Sequence, residues 1–252
     1  MAPTLLTSAL LAALVLTAAP GTAHAGTSAA PLEISRVRGG AIATDPIANG
    51  RRVYIPTGRV LATWDYTNPS APLRVATSAP AAGAINGLAR RGSYLYASWR
   101  GYDGTSGVAT YSLTDPAAPK LVNQLDNYSA EADKFAIGMV VANDHLYLFD
   151  SNQGVFVANL ANPAAPAFAR TAITGVPQYT KLVAHGNTIH GTGRNFIGST
   201  ILDIYDVSNP TAPVQQEGFG TDGIDTFSLV TEPQLAIGVG NRLSLFDLSA
   251  PG

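Results

Sequence analysis

Side chains able to meet a ligand cluster in five dissimilar, glycine-containing stretches of this 252-residue chain: Arg100 to Gly107, Asp126 to Lys134, Ile173 to Tyr179, Gly193 to Ser199 and Gly218 to Asp225. The candidates there are Tyr102, Lys134, Tyr179, Arg194, Asp222 and Asp225. Asp45, Asn86 and Lys181 join them, because each stands near the start of an apolar run. Carboxylates, cations and phenols on variable loops suit recognition of a protein or a glycan by ion pairing and ring stacking. Neighbouring loop aspartates also suit the acid and nucleophile of a carbohydrate hydrolase, although spacing along a loop does not set the separation that mechanism needs.

Signals for other chemistry are sparse. No Gly-x-Ser-x-Gly elbow is present, and His145, His185 and His190 fall away from the variable stretches. His190 takes the place held by Tyr54, Tyr96 and Tyr147 in the repeats described next, which reads as a packed core histidine. Asp150-Ser151-Asn152-Gln153-Gly154 alternates oxygen donors as a calcium loop does, but it lacks the distal bidentate Glu and sits where a tight turn is due. With zero cysteines, the chain has neither a disulfide framework nor a thiolate metal site. The reading therefore assigns no catalytic set, no metal and no cofactor.

What must position the loops is a repeat. WDYTNPSAP, YSLTDPAAP, ANLANPAAP and YDVSNPTAP recur with their anchoring prolines at Pro69, Pro116, Pro163 and Pro210, a spacing of 47 residues each time. The Asn or Asp can cap a turn, the first Pro presets its φ, and the second Pro opens an edge strand that can spare an N–H donor. Between these turns run short segments with the period-two alternation of strands, four per repeat, as in Ile85–Gly92, Ser93–Trp99, Gly107–Thr114 and Pro119–Asp126. A period in the forties built from short strands predicts an all-β propeller, because one small sheet cannot bury its faces unless neighbouring blades cover them.

A fifth unit starts at Thr226 and stops at Gly252, where its outermost strand is due. Ala30 to Gly39 (APLEISRVRG) matches the outermost-strand phrase APLRVATSAP that begins at Ala71. The expectation is a five-bladed β-propeller of four-stranded antiparallel blades, about 47 residues each, closed by the N-terminal strand completing the last blade. The unit LDIYDVSNPTAP and its copies resemble the LVIVD-repeat family of secreted bacterial β-propellers, departing from it at Asn159 and Ala250. That resemblance implies a propeller and an exported location. It carries no catalytic residues over.

Residues 1–25 contain no Asp, Glu, Lys or Arg, and an apolar run from Leu5 to Ala19 precedes Ala23-His24-Ala25. This reads as a signal peptide, followed by one propeller domain over residues 26–252 with no further membrane span. A net charge of −2 and scattered Lys and Arg argue against nucleic acid as a partner. The functional expectation is a secreted or cell-surface monomeric binding module, more a binder than an enzyme, whose partner is an extracellular or envelope protein or glycan.

Overall fold

The computed structural model describes residues 45–194, 200–216, 219–221, 226–231, 234–239 and 242–247, with side chains over 45–193 and 201–216. Every regular element there is a strand. The first sheet holds β1 (Ile47–Asn49), β2 (Arg52–Thr57), β3 (Val60–Asp65) and β4 (Leu73–Thr77). The second holds β5 (Ala84–Arg91), β6 (Tyr94–Arg100), β7 (Ser106–Ser112) and β8 (Lys120–Leu125). The third holds β9 (Ala136–Ala142), β10 (His145–Asp150), β11 (Gly154–Asn159) and β12 (Phe168–Arg170). The fourth holds β13 (Gln178–His185), β14 (Thr188–Arg194), β15 (Thr200–Asp206), β16 (Val214–Gln215) and β17 (Phe219–Thr221). A further sheet comprises β18 (Thr226–Thr231), β19 (Gln234–Val239) and β20 (Arg242–Asp247).

All pairings are antiparallel between chain neighbours, apart from β17, which returns to β15. β16 and β17 lie along the same edge of β15, and the register slips by one residue between them. The described residues thus show four complete blades, not five, and a three-stranded sheet after them. The proposed closing segment, Ala30 to Gly39, and the leader before it lie outside the described residues.

The turns follow the sequence phrase. In each complete blade an i to i+3 backbone bond closes the Asn/Asp-Pro turn, from Ala71 to Asn68, Ala118 to Asp115, Ala165 to Asn162 and Ala212 to Asn209. Three positions before the turn's first residue, Asn159 Oδ1 accepts the Ala161 N–H at 2.7 Å, as Asp206 Oδ1 accepts that of Ser208 at 2.8 Å. Asn159 therefore serves in one blade as Asp206 does in the next, because the turn needs a side-chain oxygen rather than a charge.

The core lies between blades. Tyr54, Leu95, Trp99 and Tyr111 fill the first junction, Tyr96, Tyr128, Leu148 and Phe156 the second, and Tyr147, Phe149, Tyr179 and Tyr205 the third. The second and third sheets bury both faces against their neighbours, so the middle strands β6 and β10 are buried almost throughout while the outer β4, β8 and β12 are not. This is the propeller logic that the short strands require.

Candidate functional site at the channel mouth

Each of β5, β9 and β13 carries one extra residue near its start. The register slips between Ile85 and Gly87, between Ala136 and Gly138, and between Tyr179 and Lys181, leaving Asn86, Ile137 and Thr180 as the bulged residues. A bulge rephases the alternation of faces. All three residues line a cavity of about 430 Å³ enclosed by the first strands of the four complete blades. Its mouth is at the strand starts, on the side of the variable loops.

The next register position forms the rim: Asp45, Gly87, Gly138 and Lys181. At the corresponding position β18 carries Phe227. A Cβ on Gly87 would come within 2.9 Å of Gly138 Cα and 2.5 Å of Ser98 Oγ, so glycine there lets two blades approach. From opposite sides, Lys181 Nζ and Asp45 Oδ2 form an ion pair, with both side chains partly exposed. Deeper still, Leu88, Met139 and Leu182 make an apolar wall.

Asn86 is engaged rather than free. Its Oδ1 accepts from Ser98 Oγ at 2.8 Å, and its Nδ2 donates to the Ala136 carbonyl of the next blade. Thr180 Oγ1 donates to the Thr192 carbonyl at 3.2 Å.

Tyr179 corrects the expectation that it is a loop aromatic open to ligand. It is 6% exposed, and its hydroxyl meets Asp203 Oδ2 and the Tyr205 hydroxyl, both at 2.5 Å. Burial, the neighbouring Tyr205 and the bond to Asp203 all raise its pKa far above that of a free phenol. Regular alternation would put Tyr179 and Lys181 on one face, whereas the Thr180 bulge sends the first between blades and the second into the channel. Tyr128, on the loop between β8 and β9, is also buried.

Lys134 does not reach the mouth. Its Nζ donates to the carbonyls of Glu131 and Ser129 at 3.1 and 3.4 Å, tying its own loop together. Tyr102 stands fully exposed on the β6–β7 loop. That loop is held by Asp103 Oδ1, which accepts from the Thr105 N–H and hydroxyl, and by a Gly101 to Thr105 backbone bond. Arg194 belongs to β14, and Asp222 and Asp225 lie outside the described residues.

Asp150, read in sequence as the head of a calcium-like loop, is fully buried and already occupied. Oδ2 accepts from the Tyr128 hydroxyl and, at 2.7 Å, from the Phe135 N–H. Oδ1 accepts the N–H groups of Asn152 and Gln153 at 2.8 and 2.9 Å. Gly154 follows with φ +95°, where a Cβ would strike the Ile173 carbonyl. The segment is a turn that anchors the preceding long loop, and the carboxylate is spent on that.

The opposite face is consumed by bonds between blades. Arg91 pairs with Asp144 at 2.8 Å and donates to the Leu160 carbonyl, and Asn143 donates to Asn187 and to the Val207 carbonyl. Asn143 and Asp144 both have positive φ, as a tight hairpin turn demands.

Four-stranded antiparallel sheets arranged around a channel lined by their first strands define a β-propeller. The chain is similar to the crystal structure of the computationally designed Ika8 protein, with a TM-score of 0.53 and 12% identity over 80% of this chain and 57% of that one. It is also similar to the structure of U3-55K, with a TM-score of 0.54 and 13% identity over 85% of this chain and 63% of that one. The chain spans less than two thirds of the length of either, and the likeness is one of fold. Its sequence matches no protein-family model and no curated protein.

Proposed function

We propose that this chain is an exported, non-catalytic binding propeller of the LVIVD-repeat type that takes a protein or glycan on its long-loop face. The supporting observation is the asymmetry between faces. On one, Arg91, Asp144, Asn143 and Asn187 are used up between blades. On the other, Asp45 and Lys181 line the channel and Tyr102 stands fully exposed on the β6–β7 loop. Preorganised loops on a rigid scaffold lower the ordering cost of association.

In this reading Arg194, Asp222 and Asp225 extend the same face. Residues 30–39 complete a fifth blade, and cleavage after Ala25 leaves Gly26 as the first residue of a monomer. The test is a glycan array and a pull-down from envelope or culture medium. Tyr102→Ala, Lys181→Ala and Asp45→Ala should weaken capture, and Asn187→Ala should not. Capture that survives all three and fails with Asn187→Ala would overturn the assignment. Glycoside hydrolysis abolished by Asp222→Ala or Asp225→Ala would put a hydrolase in its place.

A further inference from the structure

Beneath the mouth, the described wall offers a ligand two kinds of contact. One is the pair of opposite charges, Asp45 and Lys181, facing each other from blades one and four. The other is the aliphatic surface of Leu88, Ile137, Met139 and Leu182. Neutral hydrogen-bonding side chains in this wall are already committed: Asn86 to Ser98 and Ala136, Thr180 to Thr192, and Tyr179 to Asp203 and Tyr205. A polyhydroxylated sugar would have to desolvate many hydroxyls against partners that are taken.

We infer that the channel is a site for a small aliphatic zwitterion of the α-amino-acid type. Its ammonium takes Asp45, its carboxylate takes Lys181, and its side chain descends onto Leu88, Met139 and Leu182. In the empty channel each protein charge stands in for one charge of the ligand. The ion pair is partly exposed, so opening it is inexpensive, and insertion replaces one pair by two in a more enclosed setting. Gly87 and Gly138 put no side chain on their part of the rim. A cavity of about 430 Å³ lies within the size range of small-molecule sites and holds one amino acid with room to spare.

This inference uses the mouth geometry of the proposed binding face but not the identity of any macromolecular partner. The test is isothermal titration calorimetry on the full chain, with L-leucine, L-methionine, isoamylamine, 4-methylpentanoate and glucose as probes. The two amino acids should bind, and the singly charged analogues should be weaker by roughly tenfold or more. Glucose should give no heat, and Tyr102→Ala should leave the amino acids unaffected. Asp45→Asn and Lys181→Met should each weaken leucine by roughly tenfold or more. The double swap Asp45→Lys with Lys181→Asp restores the pair and should recover affinity, which keeps the test decisive if a single variant folds poorly. Leucine binding unchanged in both single variants, or glucose bound in preference to the amino acids, would overturn the inference. Macromolecular capture that still depends on Tyr102 in that event would leave the loop-face reading standing.

Discussion

The hydroxyl of Tyr96 donates to the carbonyl of Pro163 at 3.0 Å, across the junction between the second and third blades. Tyr54 does the same to Pro116 at 3.0 Å, and Tyr147 to Pro210 at 3.5 Å. Each acceptor is the first proline of a repeated turn, so the phrase that builds one blade's hairpin also receives a clasp from the blade before it. His190 stands at the corresponding register position of the fourth blade.

Removing a clasp should destabilise without altering the fold. Tyr54→Phe and Tyr96→Phe are expected to lower the unfolding free energy by about 1 kcal/mol each, and Tyr147→Phe, with the longer bond, by less. Urea midpoints at unchanged m-value measure this. Three identical midpoints to the parent would show that the clasps contribute nothing.

Alkali should unfold the protein through its buried phenols. Burial pushes Tyr96 and Tyr147 up to about 12 and raises Tyr111, Tyr128, Tyr179 and Tyr205 as well. Phenols in the unfolded chain ionise near about pH 10 and release their protons first. Stability is therefore complete below about pH 10 and is lost as pH rises through about 12. The tyrosinate absorbance of these six phenols, isolated by comparison with their Phe variants, should rise as far-ultraviolet circular dichroism is lost, and ionisation of these phenols while the strand signal persists would contradict this.

Asp150 should prove structural. Asp150→Asn replaces an acceptor of four hydrogen bonds by an amide that cannot accept them all, at an expected cost of about 2–4 kcal/mol. Tyr128→Phe should cost about 1 kcal/mol. Added calcium should leave the parent's melting temperature unmoved. A calcium-dependent rise lost in Asp150→Asn would restore the metal reading.

His190 should give a separate loss of stability in acid. Burial, with the neighbouring His185 adding to it, holds its imidazole below the ordinary range. An unfolded histidine takes up its proton near about pH 6.5, so this contribution is complete above that value and is lost as pH falls through the lower folded value. His190→Phe should flatten the melting-temperature profile below about pH 6.5. An unchanged slope would place the acid sensitivity elsewhere.

The proposed fifth blade makes its own prediction. Deleting Leu32 to Arg38 should cost at least about 2 kcal/mol by the loss of an outer strand from the last sheet. An unchanged melting temperature would remove the N-terminal segment from the ring.

The amino-acid sequence by itself determined the repeat, the strand type and the hairpin turns, because these depend on neighbours in the chain. Pro69, Pro116, Pro163 and Pro210 are read by local turn chemistry, and the alternation in Leu146 and Leu148 by the period of a strand. It also placed Asp45 and Lys181 near the starts of apolar runs. Tyr179 was legible only as a residue beside a loop. Its burial was decided by the one-residue bulge at Thr180, which exists because β13 pairs out of step with β14 around it. The meeting of Asp45 with Lys181, 136 residues apart, and the occupation of Asp150 by Tyr128 were likewise decided by tertiary structure. The physical reason is common to all three. A period-two pattern specifies faces only while the register is unbroken, and a side chain's partner across a blade junction leaves no trace in the spacing of its own strand.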